Sequence, residues 1–98
     1  MARIIWTDRA LSDIEAIADY IALDSIRYAK MVVQQLFKKT EILKTFPLSG
    51  RMVPELQNPN LRELLEGEFR IIHEIHEENT IFILTVHHTA RLLRPTQL

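Results

Sequence analysis

The sequence predicts an α+β chain ordered β-α-α-β-β-β, with a helical hairpin packed on one face of a small antiparallel sheet. Three observations predict it. Two stretches in the first half repeat apolar residues at helical spacing. Three short runs in the second half, rich in β-branched and aromatic residues and parted by brief polar breaks, have the pattern of an antiparallel meander. A length of 98 residues suits one modest core, so residues 1–98 are read as a single domain.

The chain opens on Arg3-Ile4-Ile5-Trp6, a short β-prone run. Thr7 or Asp8 can then cap a helix, Asp8 also suiting the positive end of the helix dipole. Leu11, Ile14, Ile17, Ala18 and Ile21 recur at helical spacing, with Asp13, Glu15 and Asp19 off that stripe, so the helix runs to about Leu23. Asp24 or Ser25 can cap a second helix, with Ala29, Val33, Leu36, Thr40 and Leu43 as its stripe. It stops at Phe46-Pro47, because the residue before proline disfavours helix. The minimal break between them makes a helical hairpin.

Pro47 to Asn60 contains Gly50, Pro54 and Pro59 and reads as loop. Leu61 to Glu66, Phe69 to His76 and Thr80 to His88 follow as strands. The last is apolar at nearly every position, which predicts cover on both faces and a central place in the sheet. Its register depends on the preceding turn. A two-residue turn at Glu78-Asn79 sets Arg70 opposite His87, whereas a three-residue connection is read as setting Arg70 opposite His88.

The net charge of −1 conceals a segregation along the chain. Residues 1–24 are acidic, with Asp8, Asp13, Glu15, Asp19 and Asp24 against Arg3 and Arg9. Residues 25–51 are basic, with Arg27, Lys30, Lys38, Lys39, Lys44 and Arg51 against Glu41, and the stretch from 52 to 81 turns acidic again. Such banding suggests charged partners on different surfaces. The sequence has no cysteine, which removes disulfides and thiolate metal sites and fits a reducing compartment. No run approaches a membrane span, and the start is too quickly polar for a signal peptide, so a cytoplasmic protein with no membrane partner is expected.

Arg27, Lys30, Gln34 and Lys38 fall at steps of three and four on the second helix, opposite its apolar stripe. A solvated surface and a docking face for acidic protein or phosphate both fit. Arg51 and Glu55 are the charged candidates of the long loop, and an ion pair from loop to sheet accounts for them equally well. His73 and His76, like His87 and His88, are spaced to point to opposite strand faces, so no metal-ligand cluster forms. Arg70 beside a late histidine can hold a phosphate or carboxylate while the imidazole exchanges a proton, or Arg70 can pair with Glu63 or Glu74. Met31, Met52, Leu92, Leu93 and Leu98 lie off the core stripes and leave apolar surface for a partner.

Phe46-Pro47, Gly50-Arg51-Met52-Val53-Pro54-Glu55-Leu56, Arg62-Glu63-Leu64, Phe69 to Ile75 and Ile83 to His88, in this order and spacing, resemble the RelE/ParE superfamily of type II toxins, over nearly the whole chain. The resemblance implies growth inhibition, no cofactor, and a cognate antitoxin that wraps the toxin with an otherwise disordered segment. Operator DNA would be reached only through that antitoxin. Two activities divide the superfamily. One nuclease branch uses lysines where this chain has Leu61 and Glu63, and a late tyrosine, whereas no tyrosine follows Tyr28 here. A second nuclease branch uses a Glu, an Arg and a His, which Glu55, Arg70 and His88 resemble. Those three would serve metal-free, ribosome-dependent cleavage of mRNA as base, phosphate-binding cation and acid. Thr89 stands where that branch has an aromatic residue, and the acidic stretch from 52 to 81 opposes an RNA backbone. The ParE-like branch binds and poisons DNA gyrase, which suits this chain better. The antitoxin is expected on Arg27, Lys30 and Lys38 and along the tail at Arg91, Leu92 and Leu93.

Overall fold

The protein is described here as a computed structural model that gives residues 1–98 apart from Glu78, Arg91, Leu92, Pro95 and Gln97. Strand β1 (Arg3–Trp6) leads into helix α1 (Asp8–Ala22). Thr7 joins the two: its hydroxyl oxygen accepts from the Ala10 amide at 3.1 Å as the N-cap and donates to the Ile83 carbonyl at 2.8 Å. The buried stripe of α1 holds at Ile14, Ile17 and Ile21 as expected, but it begins at the fully buried Ala10, and Leu11 is half exposed. Helix α2 (Ile26–Lys39) is capped by Ser25, whose Oγ accepts from the Tyr28 amide at 3.0 Å.

The second helix was expected to run unbroken to Phe46, and it does not. It ends at Thr40, and a separate turn of helix, α3 (Ile42–Thr45), follows. The Thr40 amide and hydroxyl both turn to the Phe37 carbonyl, which tightens the last turn and ends the regular ladder. Burial still passes through the break, from Ala29, Val32 and Leu36 to Thr40 and Leu43, with Val32 taking the place expected of Val33.

The loop predicted from Pro47 to Asn60 contains a short strand, β2 (Arg51–Met52), before β3 (Leu61–Glu66), β4 (Phe69–His76) and β5 (Thr80–His88). Gly50 makes this possible. It has a φ of +90°, and a Cβ there would lie 2.2 Å from the Glu63 carbonyl oxygen. The sheet order is β1-β5-β4-β3-β2, antiparallel except for the parallel β1/β5 pair. β5 is therefore interior, as its apolar sequence implies, but β4 rather than β5 is the middle strand.

The register between β4 and β5 corrects the expectation in an instructive way. His76 pairs with Thr80, so the connection is the three-residue one, yet Arg70 still pairs with His87. Continued without interruption, that register would set Arg70 opposite Val86. An irregularity opposite Ile72 and His73 absorbs Leu84 as an extra residue and moves the ladder on by one.

α1 and α2 cover one face of the sheet over a core that includes Ile14, Leu36, Leu64, Ile71, Ile83 and Val86. The other face carries a smaller cluster of Val53, Leu61, Ile72 and Leu93, with Leu56 and Leu84 packed against it. Leu93 was expected to remain for a partner. It is instead buried, in this second cluster. No described helix is long and apolar enough to cross a membrane.

Candidate functional site

The alternation along β3 and β4 places Glu63 and Arg70 on the face away from the helices, with Leu61 and Ile72. Arg70 is almost fully buried there, and its guanidinium is turned inward onto two carboxylates. Nη1 and Nη2 donate to the two oxygens of Glu55 at 2.6 and 2.8 Å, and Nε donates to Glu63 Oε1 at 2.8 Å. Glu63, with its side chain wholly buried, also accepts from Arg51 Nε at 2.5 Å. Glu55 further accepts from the Leu93 amide at 2.9 Å. One cluster thus ties the β2 strand, the loop after it, β3, β4 and the tail.

The electrostatics follow from this pairing. The Arg70 hydrogen bonds hold the Glu55 carboxyl well below its usual range, at about 2, against the opposing effect of burial. The Glu55 hydrogen bonds in turn raise the Arg70 pKa and keep it a cation despite its burial. Of the partners anticipated for Arg70, Glu63 is one and Glu74 is not, since Glu74 meets His76 Nε2 at 2.6 Å. Arg51 and Glu55 both make the loop-to-sheet ion pairs that the sequence allowed.

Of the three residues aligned with the nuclease pattern, the fold brings Glu55 and Arg70 together and not His88. His88 pairs across the ladder with Phe69 and meets its ring edge-on at a centroid distance of 5.9 Å, on the helix-side face, while Arg70 pairs with His87. Its imidazole lies 3.8 Å from Glu68 and is nearly half exposed. The carboxylate of Glu55 is consumed by Arg70, so the pair forms a neutral cross-link whose donors and acceptors face each other.

His88 belongs to a different feature, a groove of about 790 Å³ between the helical hairpin and the open end of the sheet. Ile17, Val32, Phe69 and Val86 give it an apolar floor, and Tyr20 and Tyr28 stand on its rim. Sequence reasoning did not single out these tyrosines, although both fall off the apolar stripes, which was the available signal. The basic residues Arg27, Lys30 and Lys38 are exposed on α2, and Arg27 and Lys30 line a shallower depression of about 590 Å³ with Ile26, Met31 and Gln34. Leu93 lies in the second cluster, while Arg91 and Leu92 fall outside the described residues. Among the described residues, no group of three or more His, Asp or Glu side chains is placed to hold a metal ion.

Comparison with known proteins agrees with this geometry. A curated relative from Caulobacter vibrioides, Toxin RelE2, is 34% identical over 92 residues, covering 94% of this chain and the whole of the relative. A solved chain of the chromosomal ParDE TA system from P. aeruginosa superposes with a TM-score of 0.72 at 25% identity, over 90% of this chain and 96% of that one. The profile of the ParE toxin of the type II toxin-antitoxin system, parDE, matches residues 4–93. With the helical hairpin, the five-stranded sheet and a profile match over nearly its entire length, this chain belongs to the ParE family of type II toxins.

Proposed function

We propose that this toxin acts by binding and poisoning DNA gyrase, and that a cognate antitoxin neutralises it. The observation that carries the reading is the Arg70 cluster. A guanidinium with hydrogen bonds to Glu55 and Glu63 inside the protein serves as a structural cross-link, and His88 stands on the opposite face of the sheet. Cleavage of RNA without a metal needs its base, cation and acid around one phosphate. Binding to a protein target needs none of them. The antitoxin segment is proposed to enter the grooves beside the hairpin with apolar residues, while its acidic residues meet Arg27, Lys30 and Lys38 and its end reaches Arg91 and Leu92.

The likeness to a relative called Toxin RelE2 favours a second reading, ribosome-dependent cleavage of mRNA through Glu55, Arg70 and His88. Expression without antitoxin separates the two. Gyrase poisoning gives DNA breaks and filamentation, whereas nuclease action gives rapid loss of translated mRNA. Site-specific cleavage in a ribosome-programmed assay, abolished by Arg70→Ala or His88→Ala, would replace the first reading with the second. For the antitoxin, charge reversal at Lys30 and Lys38 together, and separately truncation after Thr89, are each expected to weaken affinity by more than about 1 kcal/mol.

A further inference from the structure

The acidic and basic bands of the sequence become neighbours in space. On the side of the hairpin away from the sheet, α1 presents exposed Glu15 and Asp19, and α2 presents exposed Arg27 and Lys30. Between them runs a shallow valley of about 370 Å³, lined by Ala18, Ala22, Ile26, Ala29 and Val33, with Asp19 and Lys30 on its flanks. Ile26 is 65% exposed, Leu23 at the hairpin tip is 82% exposed, and Met31 is 44% exposed. This is more apolar side chain than a solvated helix surface requires, gathered beside two charged helices of opposite sign.

A face with acid on one half, base on the other and apolar residues between is complementary to itself. A twofold rotation about an axis through the valley lays the acidic α1 of one copy over the basic α2 of the other, and the reverse contact forms at the same time. Ile26 of both copies meets across the axis, with Leu23 beside it at the hairpin tip, and Asp19 of each faces Lys30 of its counterpart. An entirely basic or acidic ridge would repel its own image. We infer that, in the absence of antitoxin, the outer face of the α1/α2 hairpin is an isologous contact with a second copy of this chain. The groove containing Tyr20 and Tyr28 opens on the sheet side of the hairpin and stays clear of that contact.

The test uses the toxin alone, so its outcome is independent of the target and of antitoxin affinity. Sedimentation equilibrium over a concentration series should approach twice the 11.5 kDa chain mass, with association weakened in part by added salt. Asp19→Lys and Lys30→Glu should each leave a monomer, since either change sets like charges opposite each other twice. An equimolar mixture of the two variants should restore the dimer, because both crossed contacts are then attractive, and this recovery also shows that each variant is folded. A wild-type chain that stays monomeric throughout overturns the inference. So does a dimer that survives both substitutions, or a mixture that remains monomeric.

Discussion

Arg70 illustrates how one side chain divides a structural role from a chemical one. Deleting it would leave Glu55 and the wholly buried Glu63 without their main counter-charge, a loss of about 3–5 kcal/mol for a buried pair. Arg51 touches the same Glu63, but its side chain is 59% exposed, and an exposed pair is worth no more than about 1 kcal/mol. Urea denaturation of Arg70→Ala and Arg51→Ala should reproduce that order; equal losses would mean that the cluster does not hold the sheet together. His73 makes the opposite case. It is fully buried on the helix-side face, neither ring nitrogen has a hydrogen-bond partner among the described residues, and burial, aided by the Arg62 cation across the ladder, lowers its pKa from 6.5 to about 4. Between those values the unfolded chain binds a proton that the folded one refuses, so stability falls as pH drops from 6.5 towards 4, by about 3 kcal/mol in all. His73→Leu should flatten stability across that window. Glu55 adds a loss at lower pH, from about 4.5 down through about 2, because its carboxylate is favoured in the folded state; the two phases are separable by their pH ranges.

At the scale of elements, the open end of β5 depends on α1. β1 stops pairing at Trp6 opposite Ile83, so among the described residues no strand lies beside the β5 edge beyond it. Asp13 takes over: its carboxylate accepts from the Val86 amide at 3.0 Å and from the Thr85 hydroxyl. Asp13→Ala would leave a part-buried amide and hydroxyl without that acceptor, at a cost of about 1–3 kcal/mol. Amide exchange at Val86 should then quicken while that at Ile71, in the middle of the sheet, changes only with global stability. These relations differ in how far the sequence discloses them. The caps at Thr7 and Ser25 and the stop at Pro47 are local and were legible. The break at Thr40 was not, because a threonine on the apolar stripe reads as helix until its hydroxyl is seen to turn back to Phe37. The bond from Asp13 to Val86 spans 73 positions, and no pattern marks such a pair.

For the molecule as a whole, periodicity revealed the hairpin and the meander but not the partner of β1, since a parallel pairing across the length of the chain leaves no turn residues to announce it. The same limit applied to the candidate site. Residue type and spacing drew attention to Glu55, Arg70 and His88, yet which of them share a face depended on Leu84 being absorbed into the ladder. Charge banding, by contrast, was legible from the order of residues alone, and the fold converts it into adjacent helices of opposite sign.

The parallel pairing of β1 with β5 also sets an order of events during synthesis. β1 is made first, but its one strand neighbour among the described residues is β5, at residues 80–88. Until those residues leave the ribosome, Ile4 and Trp6 have no sheet to join and α1 has no β5 for Asp13 to hold. Contacts so distant in sequence form late. The hairpin and the sheet therefore reach their final contacts only once residues 80–88 have been made.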